Sequence, residues 1–134
     1  MEQQFKKELK SLEKIFEFLN HFMSANDIDA STAFSINVAD EEFFTNMVKY
    51  DSDRSNDISI SAVKETNRLV IRLTANDVER FDVTRAAAVN TNQSLAERKV
   101  GGLGIHMAKR LIDSISYDYR DRTSTITLIK NLEK

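Results

Sequence analysis

The chain has no cysteine and no proline, only three glycines, no strong excess of either charge and no long apolar run. Without cysteine there are no disulfides, no thiolate catalysis and no zinc site built on sulfur, which fits a reducing compartment. Without proline, no loop is held by a ring-fixed φ. The formal charge of −2 arises from 19 basic and 21 acidic side chains mixed along the chain. A nucleic-acid footprint needs a basic surplus on one face, so no nucleic-acid partner is expected. His21 and His106 are too few to build a metal cage alone; His21 reads as a surface residue and His106 as a packing or solvent-exposed one. No segment approaches the roughly 20 apolar residues that cross a bilayer, and the start MEQQFKKELK lacks an apolar signal core. A cytoplasmic protein without membrane association is expected.

What is present suits one domain spanning 1–134. The 134 residues are 41% hydrophobic and 30% charged, enough to bury a core and keep a solvated surface. Gln3 to Leu9 reads as a short first strand. After Ser11, the apolar residues Leu12, Ile15, Phe16, Leu19, Phe22 and Met23 recur at helical steps and predict a core-facing helix. Asn26-Asp27-Ile28-Asp29 breaks that pattern and opens a second helix over about Ala30 to Tyr50, with Asp29 or Ser31 as its cap. A polar loop, Asp51 to Asn56, precedes two alternating segments around Ile58-Ile60-Ala62 and Leu69-Ile71-Leu73, joined by a turn at Lys64 to Asn67. Ala75 to Val100 is a long connection with a short helix at Val83 to Asn90, and its length suggests a lid. A helix over Ile105 to Asp113 and a hairpin pairing Ile115-Tyr117-Tyr119 with Ile126-Leu128 close the chain. This order predicts an α+β, two-layer α/β sandwich with a mixed, mostly antiparallel sheet and helices on one face.

Two groups of residues carry chemistry. All three glycines fall in Gly101-Gly102-Leu103-Gly104, directly before a predicted helix. Glycine permits close backbone approach, and a helix start offers unpaired N–H groups with positive partial charge, so a phosphate fits there; a tight packing turn fits equally. A P-loop would need a following Gly-Lys-Ser/Thr, and a dinucleotide fingerprint would need glycine at Met107; both are absent. The second group is Glu42 and Asn46, four residues apart on one helical face with Ser35, Ala39 and Lys49. A carboxylate beside an amide oxygen suits a hard cation such as Mg²⁺, and the carboxylate can take a proton from a hydroxyl. The same pair on a solvated face would be unremarked, so the combination carries the weight.

Glu42-Phe43-Phe44-Thr45-Asn46 resembles the N-box of anti-sigma-factor serine/threonine protein kinases, and Leu95 to Ile105 resembles their glycine-rich box. The likeness continues through Arg110-Leu111-Ile112-Asp113 and Ile126 to Lys130. These kinases belong to the GHKL superfamily of histidine-kinase-like ATPases, whose two-layer sandwich is the Bergerat fold. The resemblance implies ATP and Mg²⁺ as cofactors, Glu42 as general base and Asn46 as the Mg²⁺ ligand. It also implies a phosphate-gripping lid hinge at Gly101, Gly102, Leu103, Gly104 and Ile105, with Arg98 at the lid-arginine position and Thr127 near the adenine. By the same resemblance, the partners are a small anti-anti-sigma (STAS-type) protein, phosphorylated on serine, and a sigma factor that competes with it; a homodimer through a sheet surface is a further expectation.

The adenine box departs from that pattern. Where the family has approximately Asp-x-Gly-x-x-Phe-Asp, this chain has Asn76-Asp77-Val78-Glu79-Arg80-Phe81-Asp82. Asn76 retains an acceptor oxygen without the charge, Asp77 takes over the adenine contact if the register slips by one, and Val78 puts a branched side chain where glycine allows close approach. The family's lid prolines are missing as well. Two functions from different classes follow: an ATP-dependent kinase, favoured by Glu42 and Asn46, and a catalytically weak nucleotide-binding or sequestering module, favoured by the altered box. A free-standing ATPase is a third.

Overall fold

A computed structural model of the chain describes residues 1–50, 57–76, 78 and 106–132. Strand β1 (Glu2–Phe5) leads through a single 3-10 turn (Leu9–Ser11) into helix α1 (Leu12–Ala25). Helix α2 (Ala30–Tyr50), β2 (Ile58–Glu65) and β3 (Arg68–Ala75) follow. A helical segment, residues 106–111, precedes β4 (Ser114–Arg120) and β5 (Thr123–Asn131). The predicted Asp51–Asn56 loop and Val83–Asn90 helix lie outside the described residues.

Each boundary has a local cause. β1 ends earlier than the expected Leu9 because the chain curls back on itself. The Ser11 hydroxyl donates to the Lys6 carbonyl at 2.7 Å and the Ser11 N–H to the Glu8 carbonyl at 3.1 Å, removing both carbonyls from any strand ladder. In α1 the buried stripe is Ile15, Phe18, Leu19, Phe22 and Met23, so Phe18 takes the core position and Phe16 is only half-buried. The turn after α1 closes through Asp27 at φ 55° and an Ile28 N–H to Met23 carbonyl bond of 2.9 Å. Asp29 then caps α2, its Oδ2 accepting from the Thr32 N–H at 3.1 Å. A hydrogen bond from the Thr32 side chain, and after it this backbone bond, hold the Asp29 carboxyl below its ordinary value.

The strand order is β1-β2-β3-β5-β4, and every neighbouring pair is antiparallel. The sheet is as expected in being mostly antiparallel, and among the described residues every pairing is antiparallel. After the long connection the chain re-enters in β4 parallel to β3, but β5 folds back between them and removes the only parallel contact. Period-2 alternation then splits the sheet into two faces. Ile58, Ile60, Ala62, Leu69, Ile71, Leu73, Ala75, Ile126 and Leu128 point to one face and join α1, α2, Ala108 and Ile112 in one core cluster. The other face is rich in hydroxyls, including Ser59, Ser61, Thr74, Thr125 and Thr127, with Val70 flanked in register by Val63 and Ile129. The described helices therefore lie on one side, as expected for a two-layer sandwich.

The β4–β5 hairpin turns on Asp121 and Arg122, at φ 48° and 61°. A two-residue turn with both φ positive matches strand twist but favours Asn-Gly, since arginine carries a Cβ penalty there. Replacing Asp121-Arg122 by Asn-Gly should stabilise the domain by about 1 kcal/mol, read as a higher urea midpoint at unchanged slope.

Candidate nucleotide site

Helix α2 positions the acid and amide. Its first turn meets the β2–β3 turn: Asp29, Ser31 and Thr32 line a cavity of about 640 Å³ with Thr66, Asn67 and Leu132. At about 1.5 Å per residue the 21-residue helix is roughly 31 Å long, against roughly 27 Å for an eight-residue strand. Its last turns therefore reach the opposite end of the sheet, where β3 finishes at Ala75. Asn46, one turn from the end of α2, and Asn76, just past β3, lie toward the same end.

The rotation of α2 follows from a second bond. Asn37 Nδ2 donates to Asn20 Oδ1 of α1 at 3.0 Å, which marks the side of α2 that faces α1. At 100° per residue, Glu42 lies about 140° and Asn46 about 180° around the helix from Asn37. α1 sits over the β1 edge, where Phe18 packs edge-on against Phe5 at 5.6 Å. The acid and amide thus stand on the flank of α2 directed toward β3, β5 and the 106–111 helix, on the helix-covered face of the sheet.

On that flank Ser35, Ala39 and Asn46 are buried and Glu42 is half-buried. Asn46 Nδ2 donates to Glu42 Oε2 at 3.0 Å. The amide N–H is spent on the carboxylate, while the amide oxygen, the atom suited to a hard cation, is not committed to it. Desolvation raises the Glu42 pKa most strongly; the Asn46 bond opposes it, the Glu41 charge raises it further and Lys49 lowers it. A carboxylate so placed is a stronger base than an exposed glutamate. Among the described residues no cluster of three or more His, Asp or Glu forms a metal cage. The amide oxygen of Asn46 instead suits Mg²⁺, which keeps several waters and is completed by phosphate oxygens.

The remaining predicted residues are distributed differently. Asp77, Arg98, Gly101, Gly102, Leu103, Gly104 and Ile105 lie outside the described residues; the 106–111 helix that follows the glycines packs on the same face as α2 through Ala108. Asn76 is exposed, and its Oδ1 accepts from the Thr123 hydroxyl at 3.2 Å. Val78 is buried in the core cluster with φ outside the left-handed region. Its N–H donates to the Arg122 carbonyl at 2.9 Å and its carbonyl accepts from the Tyr119 hydroxyl at 2.9 Å.

Thr127 stands on the face away from the helices, because it alternates with the core residues Ile126 and Leu128. The strand hydroxyl on the helix-facing side is Ser124, buried and 3.3 Å from the Tyr117 hydroxyl. Sequence reasoning missed Ser124 and Tyr119. The signal for Ser124 was its shared phase with Ile126 and Leu128; Tyr119 had none, since its partner is 41 residues away.

A five-stranded antiparallel sheet covered on one face by helices, with a carboxylate–amide pair on the central helix, defines a GHKL-type ATPase fold. The chain belongs to the histidine kinase-like ATPase domain family, whose profile matches residues 5–130. It is similar in structure to a chain of the SiaB–SiaC complex from Pseudomonas aeruginosa, with a TM-score of 0.59 and 18% identity over 98% of this chain and 89% of that one. It also resembles the Acinetobacter baumannii histidine kinase AdeS, with a TM-score of 0.54 and 12% identity over 100% of this chain and 68% of that one. No curated protein matches the sequence significantly. No helix among the described residues is long and apolar enough to cross a membrane.

Removing the Asn46 donor by Asn46→Ala should raise the Glu42 pKa further, because its largest opposing influence is lost while the burial persists. Carbon-13 titration of the Glu42 carboxyl in parent and variant measures this directly. An unmoved or lowered midpoint would contradict the coupling.

Proposed function

We propose that the chain is an ATP-dependent serine/threonine protein kinase acting in partner switching. It phosphorylates a small anti-anti-sigma-like protein, and sequesters a sigma factor when that partner is absent. The observation that carries this reading is the Glu42–Asn46 pair: a base raised by burial, bonded at 3.0 Å to an amide on the buried flank of one helix. Phosphoryl transfer asks mainly for positioning and charge neutralisation. Glu42 takes the proton of the acceptor hydroxyl as its oxygen attacks the γ-phosphorus, and the bond to the β–γ bridging oxygen breaks to release ADP. Asn46 holds Glu42 by its N–H and offers its oxygen to Mg²⁺, which when bound neutralises phosphate charge. The glycines 101, 102 and 104 with Leu103 and Ile105 would grip the phosphates, Arg98 would assist, and Asn76 or Asp77 would meet the adenine.

That the similar chain comes from a SiaB–SiaC complex supports a protein partner for this fold. A cytoplasmic location and a single domain over 1–134 belong to the same reading. A homodimer is an extension of the family resemblance.

A second reading has its own observation. Val78, in place of the family's glycine, is buried and bonded through both backbone groups to the β4–β5 hairpin. Such a segment cannot bring backbone as near to an adenine as glycine does, which favours a sequestering module of low nucleotide affinity.

Glu42→Gln separates the readings. It should bind Mg-ATP within a few-fold of the parent while phosphotransfer from labelled ATP to the cognate partner falls by about 10²–10⁴-fold. Transfer at the parental rate would refute the base assignment. Calorimetry showing no binding at millimolar Mg-ATP would leave the sequestering module.

A further inference from the structure

Asp40 lies outside the proposed chemistry yet at the centre of α2's buried stripe. At 100° per residue it is about 40° from Ile36 and Phe44, about 20° from Met47 and about 60° from Phe43. All four are core residues, and Asp40 itself is fully buried. Among the described residues neither of its carboxylate oxygens has a hydrogen-bond partner. A buried, unpaired carboxylate costs far more than a buried neutral carboxyl, so the packed helix selects the protonated form.

Among the described residues, the elements packed around it offer no counter-charge. α1 presents Ile15, Phe18, Leu19, Phe22 and Met23 to the core, none of them titratable. On the helix-facing side of the sheet the cations are Lys64 and Lys130 at the far ends of β2 and β5, and the Lys130 Nζ donates to the Leu111 carbonyl at 2.8 Å. Lys7, buried beyond β1, has an interaction of its own. The 106–111 segment turns His106, Lys109 and Arg110 outward. On α2 itself Glu42 and Lys49 lie on another flank, and only the like charge of Glu41 bears on Asp40.

We infer that Asp40 is a proton-operated latch on α2: neutral while the helix is seated on the sheet, ionised when it lifts, so that rising pH loosens the helix carrying Glu42 and Asn46. The inference concerns the seating of α2 and stands apart from the nucleotide reading. Burial pushes the Asp40 carboxyl from 3.8 to about 7, with Glu41 adding to the rise. The folded state therefore holds this proton more tightly than the unfolded chain. Stability from this group is complete below about pH 4, declines as pH rises to about 7 and is flat above that.

The test compares urea unfolding of the full chain and its Asp40→Asn variant from pH 4 to 8. Relative to the variant, the parent's folding constant should fall about tenfold per pH unit between about 4 and 7. Parallel profiles would overturn the latch. A measurement independent of the variant's folding is carbon-13 titration of the Asp40 carboxyl in the parent. A midpoint near neutrality supports the latch, and one in the ordinary carboxylate range overturns it.

Discussion

The seating of α2 on the sheet is the constraint on which the site depends. Ile36, Phe43, Phe44 and Met47 are all core residues on one side of the helix, each worth about 1.5–3 kcal/mol of burial. The Asn46–Glu42 bond, like most hydrogen bonds, contributes only about 1 kcal/mol net. Apolar packing therefore sets the rotation of α2, and the polar pair accepts the azimuth it is given. A turn of 100° about the helix axis that carried Glu42 into the core at the azimuth of Phe43 would carry Phe44 out to that of Thr45. The geometry of the acid and amide is thus inherited from side chains that never meet a ligand.

The far end of the sheet is organised by a different device. The chain leaving β3 is pinned at Val78 by two bonds to the β4–β5 hairpin, one from each side of its peptide backbone. That hairpin closes on residues with positive φ, Asp121 and Arg122. Backbone strain in the turn and burial of Val78 are therefore parts of one arrangement: the Arg122 carbonyl, set by the turn, receives the Val78 N–H. Val78, within the stretch that matches the family's adenine box, is fixed by tertiary contacts across some 40 residues, and its side chain is spent on the core.

Much of this was legible in the residues. Asp29 announces the start of α2 because an oxygen-bearing cap precedes a long apolar period, and the helix runs over the predicted span. The strand phases follow from Ile58-Ile60-Ala62 and Leu69-Ile71-Leu73. Other features are not local. That β5 slips between β3 and β4, making every pairing among the described residues antiparallel, depends on the path of a long connection. The assignment of Thr127 to the adenine followed a motif where alternation against Ile126 and Leu128 points it to the other face. Asp40 hid in the run Asp40-Glu41-Glu42, which looks like a single acidic patch. Helical phase separates its members by 100° each, and they become a buried acid, an exposed acid and a half-buried base.

At 18% and 12% identity the similar structures share a fold with this chain, and a fold alone does not specify an activity. The two features that bear on activity stand on different elements. Glu42 and Asn46 are held by α2 and answer to its packing against the sheet. Val78 is held by the last hairpin and governs how closely backbone approaches a base. Under the proposed function, chemistry and nucleotide affinity are consequently separable: loosening the hairpin would change the second without moving the first. Under the proposed function, a Glu–Asn pair on α2 together with a valine in the adenine box is therefore no contradiction. That reading describes a domain in which the affinity for nucleotide is tuned at β4–β5 while the proposed base on α2 stays in place.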